Sequence, residues 1–487
     1  MPLVKKDKTN TSPEPGDLPR EEFLRAGERA VRWAAAYLEE NRSLPVMPVR
    51  REGELLEALP EEMPEEGEAL ERIEADFRDL VLPGVTHWNH PRFFAYFAIS
   101  GSAPGVLGEL YAAALNTNGM KWITCPASAE LEKGTLRWLR NGIGLPGEFE
   151  GILADAASTS TLLALTAARE RATGFRSRSD GIGPEAGRLR LYASEEAHSS
   201  VEKAAILIGV GLRGVRRIPS DQNYRMDVEA LRGAIREDRE SGRIPFAVVA
   251  TAGTTAVNAV DPLPEIADTA REEKLWMHVD AAYAGSAAFL PEKRDLFRGW
   301  ERADTVVVNP HKWLFTPIDA SAFFFRDAEA LRHTFSLVPE YLRTPGEADE
   351  PMDYGFQLGR RFRSLKLWFV LRAFGRRGIE DRLRRHIELA RAFADRIDAD
   401  PEWERLAPAP FSTVCFRHRP SGGEDEARLA ERNAAILDRV NRSGEAYISH
   451  AVLKGRYALR MAIGHIRTTG GDVDAAWNRL RKEAARV

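Results

Sequence analysis

A lysine becomes a nucleophile when it is held partly out of water, and Lys312 stands where that can happen. It lies in Asn309-Pro310-His311-Lys312-Trp313-Leu314-Phe315, directly after an apolar run over residues 305–308 that reads as a buried strand. A lysine at the mouth of a sheet, flanked by His311 and Trp313, has reason to lose its proton and attack a carbonyl. Most lysines lie in surface loops, and this segment alone fits that reading as well. A second segment changes the balance. Trp276-Met277-His278-Val279-Asp280-Ala281-Ala282-Tyr283-Ala284-Gly285 is another apolar strand, and it ends in an acid. The small residues after Asp280 leave room for a flat ligand, and the carboxylate can pair with a cationic ring nitrogen. In isolation an N-cap or a salt bridge would account for Asp280 too. Together, an amine for an imine and an acid for a pyridinium nitrogen are the two groups that pyridoxal phosphate requires.

These residues need a frame. Strands are expected over residues 189–193, 213–218, 246–251, 276–279, 305–308 and 322–325. Helical patterns separate several of them, at 228–239 and 263–273. The alternation predicts an α/β fold with a mainly parallel sheet covered by helices. Ligands in such sheets sit beyond the carboxyl ends of the strands, where Asp280 and Lys312 both fall. Upstream, residues 1–18 read as a disordered tail. Phe23, Leu24, Ala30, Val31, Ala34, Tyr37 and Leu38 recur near helical spacing over residues 20–41, with Gly27 on the same face. An acidic, proline-punctuated stretch follows to about residue 82, with a second helix expected near 68–80. From residue 367 onward, long helices and a few short strands suggest a smaller α+β domain. The expected division is residues 1–102 as tail and helical segment, 103–366 as the large domain and 367–487 as the small one.

With 487 residues the chain can bury a large core. Its net charge of −4 gives no basic field, so nucleic acid is not an expected partner. The only two cysteines, Cys125 and Cys415, stand far apart and in no metal-ligand spacing. They suit a reducing cytosol, and no metal is expected. Residues 1–17 lack an apolar core of signal-peptide length, and no stretch is apolar enough to span a membrane, so a cytoplasmic protein is expected.

The motifs His278-Val279-Asp280-Ala281-Ala282-Tyr283-Ala284-Gly285 and Asn309-Pro310-His311-Lys312-Trp313 resemble the group II pyridoxal-phosphate-dependent amino acid decarboxylases, in particular the aromatic-L-amino-acid decarboxylase branch. The likeness extends over Thr86-His87-Trp88 to Phe97, residues 194–204, residues 251–255 and Leu358-Gly359-Arg360-Arg361-Phe362-Arg363-Ser364-Leu365-Lys366, and more weakly over Leu459-Arg460-Met461-Ala462-Ile463-Gly464. It implies the fold-type I architecture, with a seven-stranded sheet, and a homodimer with shared active sites. It also implies decarboxylation of an L-amino acid, most simply an aromatic one, to the amine and carbon dioxide. An aldehyde-forming enzyme and a decarboxylase of glutamate or diaminobutyrate are the alternatives; a pyridoxal-binding protein without activity belongs to a different class, and the retention of Lys312, Asp280, His198 and Tyr341 together argues against it.

Residue by residue, the resemblance makes Lys312 the Schiff-base lysine and Asp280 the partner of the pyridine nitrogen. It makes His198 the ring stacked on the cofactor. Ala157 and Ser158 open an apolar helical run, where free N–H groups suit a phosphate, although an ordinary capped helix has the same pattern. Family members often carry Gly-Ser-Ala-Ser where this chain has Asp155-Ala156-Ala157-Ser158. Thr255, Ala282, Asn309 and His311 complete the cofactor set. Trp88, Tyr96 and Phe97 match an aromatic substrate wall, Asn118 and Met120 stand where animal members more often carry apolar or aromatic residues, Gly359 matches a glycine that reaches in from the partner subunit, and some of these aromatics would serve a plain core. Tyr341, at the start of a stretch rich in Gly, Pro and acids, matches the tyrosine that protonates the carbon after carbon dioxide leaves. Relatives with Phe there tend toward aldehyde release.

Overall fold

The computed structural model describes residues 16–48, 50–337 and 350–487. The chain divides into two compact units, one of residues 1–44 and 48–85, the other of residues 45–47 and 86–487. In the first unit the amphipathic pattern forms the helix Arg20–Glu40. Trp33 stacks on Tyr37 at 5.2 Å and meets Phe77 edge-on at 5.1 Å. Among the described residues of this unit only Leu38 and Asn41 are buried, while Phe23, Leu24, Val31 and Ile73 stay exposed. The second expected helix forms over Leu70–Asp76 and then widens into a looser turn over Phe77–Val81.

The second unit holds two sheets. The large one has seven strands: β1 (Glu150–Ala154), β2 (Leu189–Ser194), β3 (Val215–Ile218), β4 (Ile244–Thr251), β5 (Trp276–Asp280), β6 (Thr305–Val308) and β7 (Ser321–Phe325). Their order is β1-β7-β6-β5-β4-β2-β3. Only β7 runs against its neighbours β1 and β6; every other pairing is parallel. Trp-Met-His-Val-Asp, Thr-Val-Val-Val and Ser-Ala-Phe-Phe-Phe are buried at every position, as central strands covered on both faces must be. The carboxyl ends of β1, β2, β4, β5 and β6 therefore share one edge. Thr251 pairs with Asp280, and Asp280 with Val307, so three strand ends lie side by side.

The second sheet is antiparallel, with β8 (Trp403–Arg405), β9 (Thr413–His418), β10 (Ser449–Leu453) and β11 (Arg456–Ala462) in the order β10-β11-β9-β8. The helix Arg363–Ala399 is broken at Gly375, whose φ of +60° suits a residue without Cβ. The helix Ala103–Leu115 lies flat on it through Gly105 and Gly108. A Cβ at Gly105 would come within 2.2 Å of Pro317, and one at Gly108 within 2.6 Å of the Lys366 backbone. That close packing turns Leu107, Leu110, Tyr111 and Leu115 outward, where they are exposed.

Candidate active site

The strand ends enclose a cavity of about 190 Å³, lined by Phe97, Ala156, Ala157, Ser158, His198, Thr251, Gly253, Thr255, Asp280, Ala282, Tyr283, Asn309, His311 and Lys312. Nine of these positions were read from the sequence as cofactor-binding: Ala157, Ser158, His198, Thr255, Asp280, Ala282, Asn309, His311 and Lys312. They arrive from the ends of five strands, β1, β2, β4, β5 and β6, which is why the sheet has to form before the cavity exists.

Lys312 follows β6 in the short helix Pro310–Trp313. Burial lowers its pKa below that of a free lysine. Asp280 opposes the shift and Arg460 adds to it. Asp280 is buried, and its Oδ1 accepts the Ala282 N–H at 3.0 Å, which fixes the carboxylate at the end of β5. His311 is held by an Ala320 N–H donating to Nδ1 at 3.0 Å. Burial and the nearby Lys312 push its pKa down to about 3, so the ring is neutral and its proton sits on Nε2. Nε2 lies 3.3 Å from the Asn309 side chain, whose Oδ1 accepts from Ser321 at 2.7 Å.

His198 is exposed, as are Ser158 and Thr255. The Ser200 N–H donates to its Nδ1 at 3.1 Å, and Ser200 Oγ stands 2.9 Å from the same atom. That leaves a neutral ring with its proton on Nε2, free for the cavity. At the other end, the helix Ala157–Ala172 begins at the cavity with no side chain capping its first turn, and Asp155 Oδ1 accepts the Ala156 N–H at 2.8 Å. Free N–H groups on a 16-residue helix suit a phosphate without side-chain help. Gly253 keeps the opposite wall close. Its φ is +102°, and a Cβ there would lie 2.5 Å from Ala284. The donor set thus fits pyridoxal phosphate: an amine for the aldehyde, an acid for the ring nitrogen, a histidine at the mouth and N–H groups for the phosphate.

The substrate residues expected from the sequence do not gather in one place. Phe97 lines the cavity and stacks on Tyr283 at 3.9 Å. Trp88 and Tyr96 stack on each other at 5.6 Å, with Tyr96 Oη 3.3 Å from Tyr447 Oη, and neither lines the cavity. Asn118 and Gly359 line a separate, open cavity of about 580 Å³ with Arg360, Arg361 and Arg363. The Met120 carbonyl accepts the Met352 N–H at 3.1 Å, away from Lys312. Tyr341 lies outside the described residues. Sequence reasoning did not name Tyr283, Gly253 or Thr251 as wall residues. Tyr283 and Gly253 carried a usable signal, since both sit within three residues of a strand end in the motifs already singled out.

The model of the pyridoxal-dependent decarboxylase conserved domain matches residues 53–419. The chain belongs to the pyridoxal-dependent decarboxylase family. It is a pyridoxal 5′-phosphate-dependent amino acid decarboxylase. Tryptophan decarboxylase 2 of Oryza sativa subsp. japonica is 38% identical over 479 residues, covering 96% of this chain and 95% of that one. Phenylacetaldehyde synthase of Arabidopsis thaliana is 38% identical over 478 residues, covering 96% of each. The crystal structure of Oryza sativa TDC with PLP and tryptamine superposes with a TM-score of 0.93 at 35% identity, covering 97% of this chain and 99% of that one. The fold-type I sheet expected from the sequence is the one found.

Proposed function

We propose that this decarboxylase acts on an aromatic L-amino acid and releases the amine and carbon dioxide. The observation that carries the reading is the convergence of Lys312, Asp280 and His198 on one cavity walled by Phe97. Relatives named for tryptophan decarboxylation, at 38% identity over nearly the whole chain, support the aromatic class. When bound, pyridoxal phosphate supplies the sink for the electron pair left on Cα. Lys312 would hold it by its aldehyde, Asp280 would keep its ring nitrogen protonated, and His198 would stack against it. The N–H groups of Ala157 and Ser158, with Thr255, Ala282, Asn309 and His311, would hold the rest. Phe97 would give the cavity an apolar wall that excludes water. Screening all common L-amino acids for amine products by mass spectrometry tests this; turnover confined to glutamate or diaminobutyrate would overturn the aromatic assignment.

The relative named phenylacetaldehyde synthase favours one second reading, aldehyde release. Tyr341 is the residue assigned to the choice. After carbon dioxide leaves, Cα needs a proton. A phenol has an ordinary pKa of about 10 and can still give its proton to a carbanion. Tyr341→Phe is expected to lose amine and to gain aldehyde, ammonia and oxygen uptake, read by product ratio and an oxygen electrode. Mainly amine at the wild-type rate would pass the proton-donor role to His198 or water.

The working form is a cytoplasmic homodimer. No helix among the described residues is long and apolar enough to cross a membrane. The outward row Leu107, Leu110, Tyr111 and Leu115 is an apolar face of the kind a partner covers. The Asn118–Gly359 cavity shares no lining residue with the Lys312 cavity, in keeping with a site completed by a second chain. Mixing Lys312→Ala with Tyr341→Phe subunits is therefore expected to restore amine formation. Verified subunit exchange without recovery would mean that each site is built from one chain.

A further inference from the structure

Arg460, on β11, is 3% exposed, and among the described residues no carboxylate pairs with it. A buried guanidinium without a counter-ion is costly, so its surroundings should explain it. Its Nε donates to the Ala256 carbonyl at 2.9 Å, and its Nη1 donates to the Tyr96 carbonyl. Its Nη2 is buried without a partner. Its guanidinium carbon lies 4.6 Å from the centre of the Phe97 ring, and Lys312 Nζ lies 5.4 Å from the centre of the same ring. Arg460 itself does not line the cavity.

Two things follow from this placement. Ala256 adjoins Thr255 and Tyr96 adjoins Phe97, so one side chain ties together two walls of the cavity. Tyr96 has a φ of +49°, an unfavourable value for a tyrosine, and its N–H donates to Ser449 Oγ at 3.3 Å. The small sheet thus grips residue 96 from β10 and β11 and turns Phe97 onto Tyr283. The second consequence is electrostatic. A fixed positive charge beside the ring that also faces Lys312 opposes a second positive charge there.

We propose that Arg460 is a positioning residue with two separable actions: its fork braces the Phe97 wall against the Thr251–Thr255 segment, and its charge disfavours the ammonium form of Lys312. The groups facing Lys312 are Asp280 from β5, His198 from the loop after β2, His311 beside it and Arg460 from β11. Those facing Arg460 besides Lys312 are Cys415 on β9 and Tyr283. Asp280 is the one anion among the first set, so removing the Arg460 charge leaves it unopposed. The inference rests on Lys312 being the amine that holds the cofactor.

The test separates the two actions with Arg460→Met, which removes both, and Arg460→Lys, which keeps the charge and loses the fork. In the holoenzyme, the pH midpoint of the bound cofactor's visible absorbance is expected to rise by about one unit in R460M and to stay at the wild-type value in R460K. KM is expected to rise about tenfold in both. In cofactor-free protein, the pH dependence of Lys312 acetylation by acetic anhydride should move with the charge in the same way. A wild-type midpoint in R460M overturns the charge action, and a wild-type KM in R460K overturns the brace. If R460M does not fold, R460K still decides: a shifted midpoint or an unchanged KM overturns the proposal. A Lys312→Ala control that keeps the wild-type absorbance would instead defeat the assignment of Lys312.

Discussion

Lys312→Ala is expected to lose the visible absorbance of the bound cofactor and to lower turnover by at least about a thousandfold, or about 4 kcal/mol in the barrier. The reason lies in the surroundings of this side chain. Its side chain is the one amine of the cavity, and its lowered pKa leaves more of it uncharged than a free lysine at neutral pH. Alanine removes the amine and leaves the backbone of the helix Pro310–Trp313 intact, including the bond from the Lys312 N–H to the Asn309 carbonyl at 3.0 Å. The variant should therefore melt cooperatively near the wild-type temperature. Wild-type turnover in a folded Lys312→Ala protein would defeat the whole functional reading.

The second large effect is at Asp280. Asparagine keeps an oxygen for the Ala282 N–H, so the end of β5 should hold its shape. The charge is lost, and with it the partner of the ring nitrogen. Removing a close charge partner commonly costs a few kcal/mol, so kcat should fall about a hundredfold or more while cofactor still binds. The sign at Lys312 can be checked in the same variant. Asp280 raises the Lys312 pKa, so its loss should move that pKa further down, opposite to the shift expected for Arg460→Met. An Asp280→Asn enzyme with unchanged kcat would make the residue structural only.

The parts of this site that were legible in the sequence are the ones that depend on local pattern. β5 and β6 are short apolar runs that end abruptly in Asp280 and Asn309, and the chemistry follows at the break. β1 was not read as a strand. Its Glu-Gly-Ile-Leu-Ala is brief and carries a glycine that the sheet needs: a Cβ at Gly151 would lie 2.9 Å from the Phe323 carbonyl. The strand expected over residues 213–218 starts later, at Val215, because Leu212–Gly214 winds into a tight turn first. Long-range partners left no local trace. Tyr447 stands beside Tyr96, and Arg460 beside Phe97, only because the small sheet folds back onto the segment before the large one. The aromatic cluster of Trp88, Tyr96 and Phe97 looked like one wall, yet the left-handed turn at Tyr96 sends its ring and that of Phe97 to different places.

The brace from β11 has a consequence for how the protein is made. β11 spans Arg456–Ala462, so Phe97 and Lys312 leave the ribosome well before it. A nascent chain can pair β1 to β7 and still lack the side chain that pins the Phe97 wall. Such contacts between distant parts of the chain form late, because the long loops between them must close first. A chain truncated before β11 lacks this brace, so its Phe97 wall should be looser and its cofactor retention weaker than in the full chain.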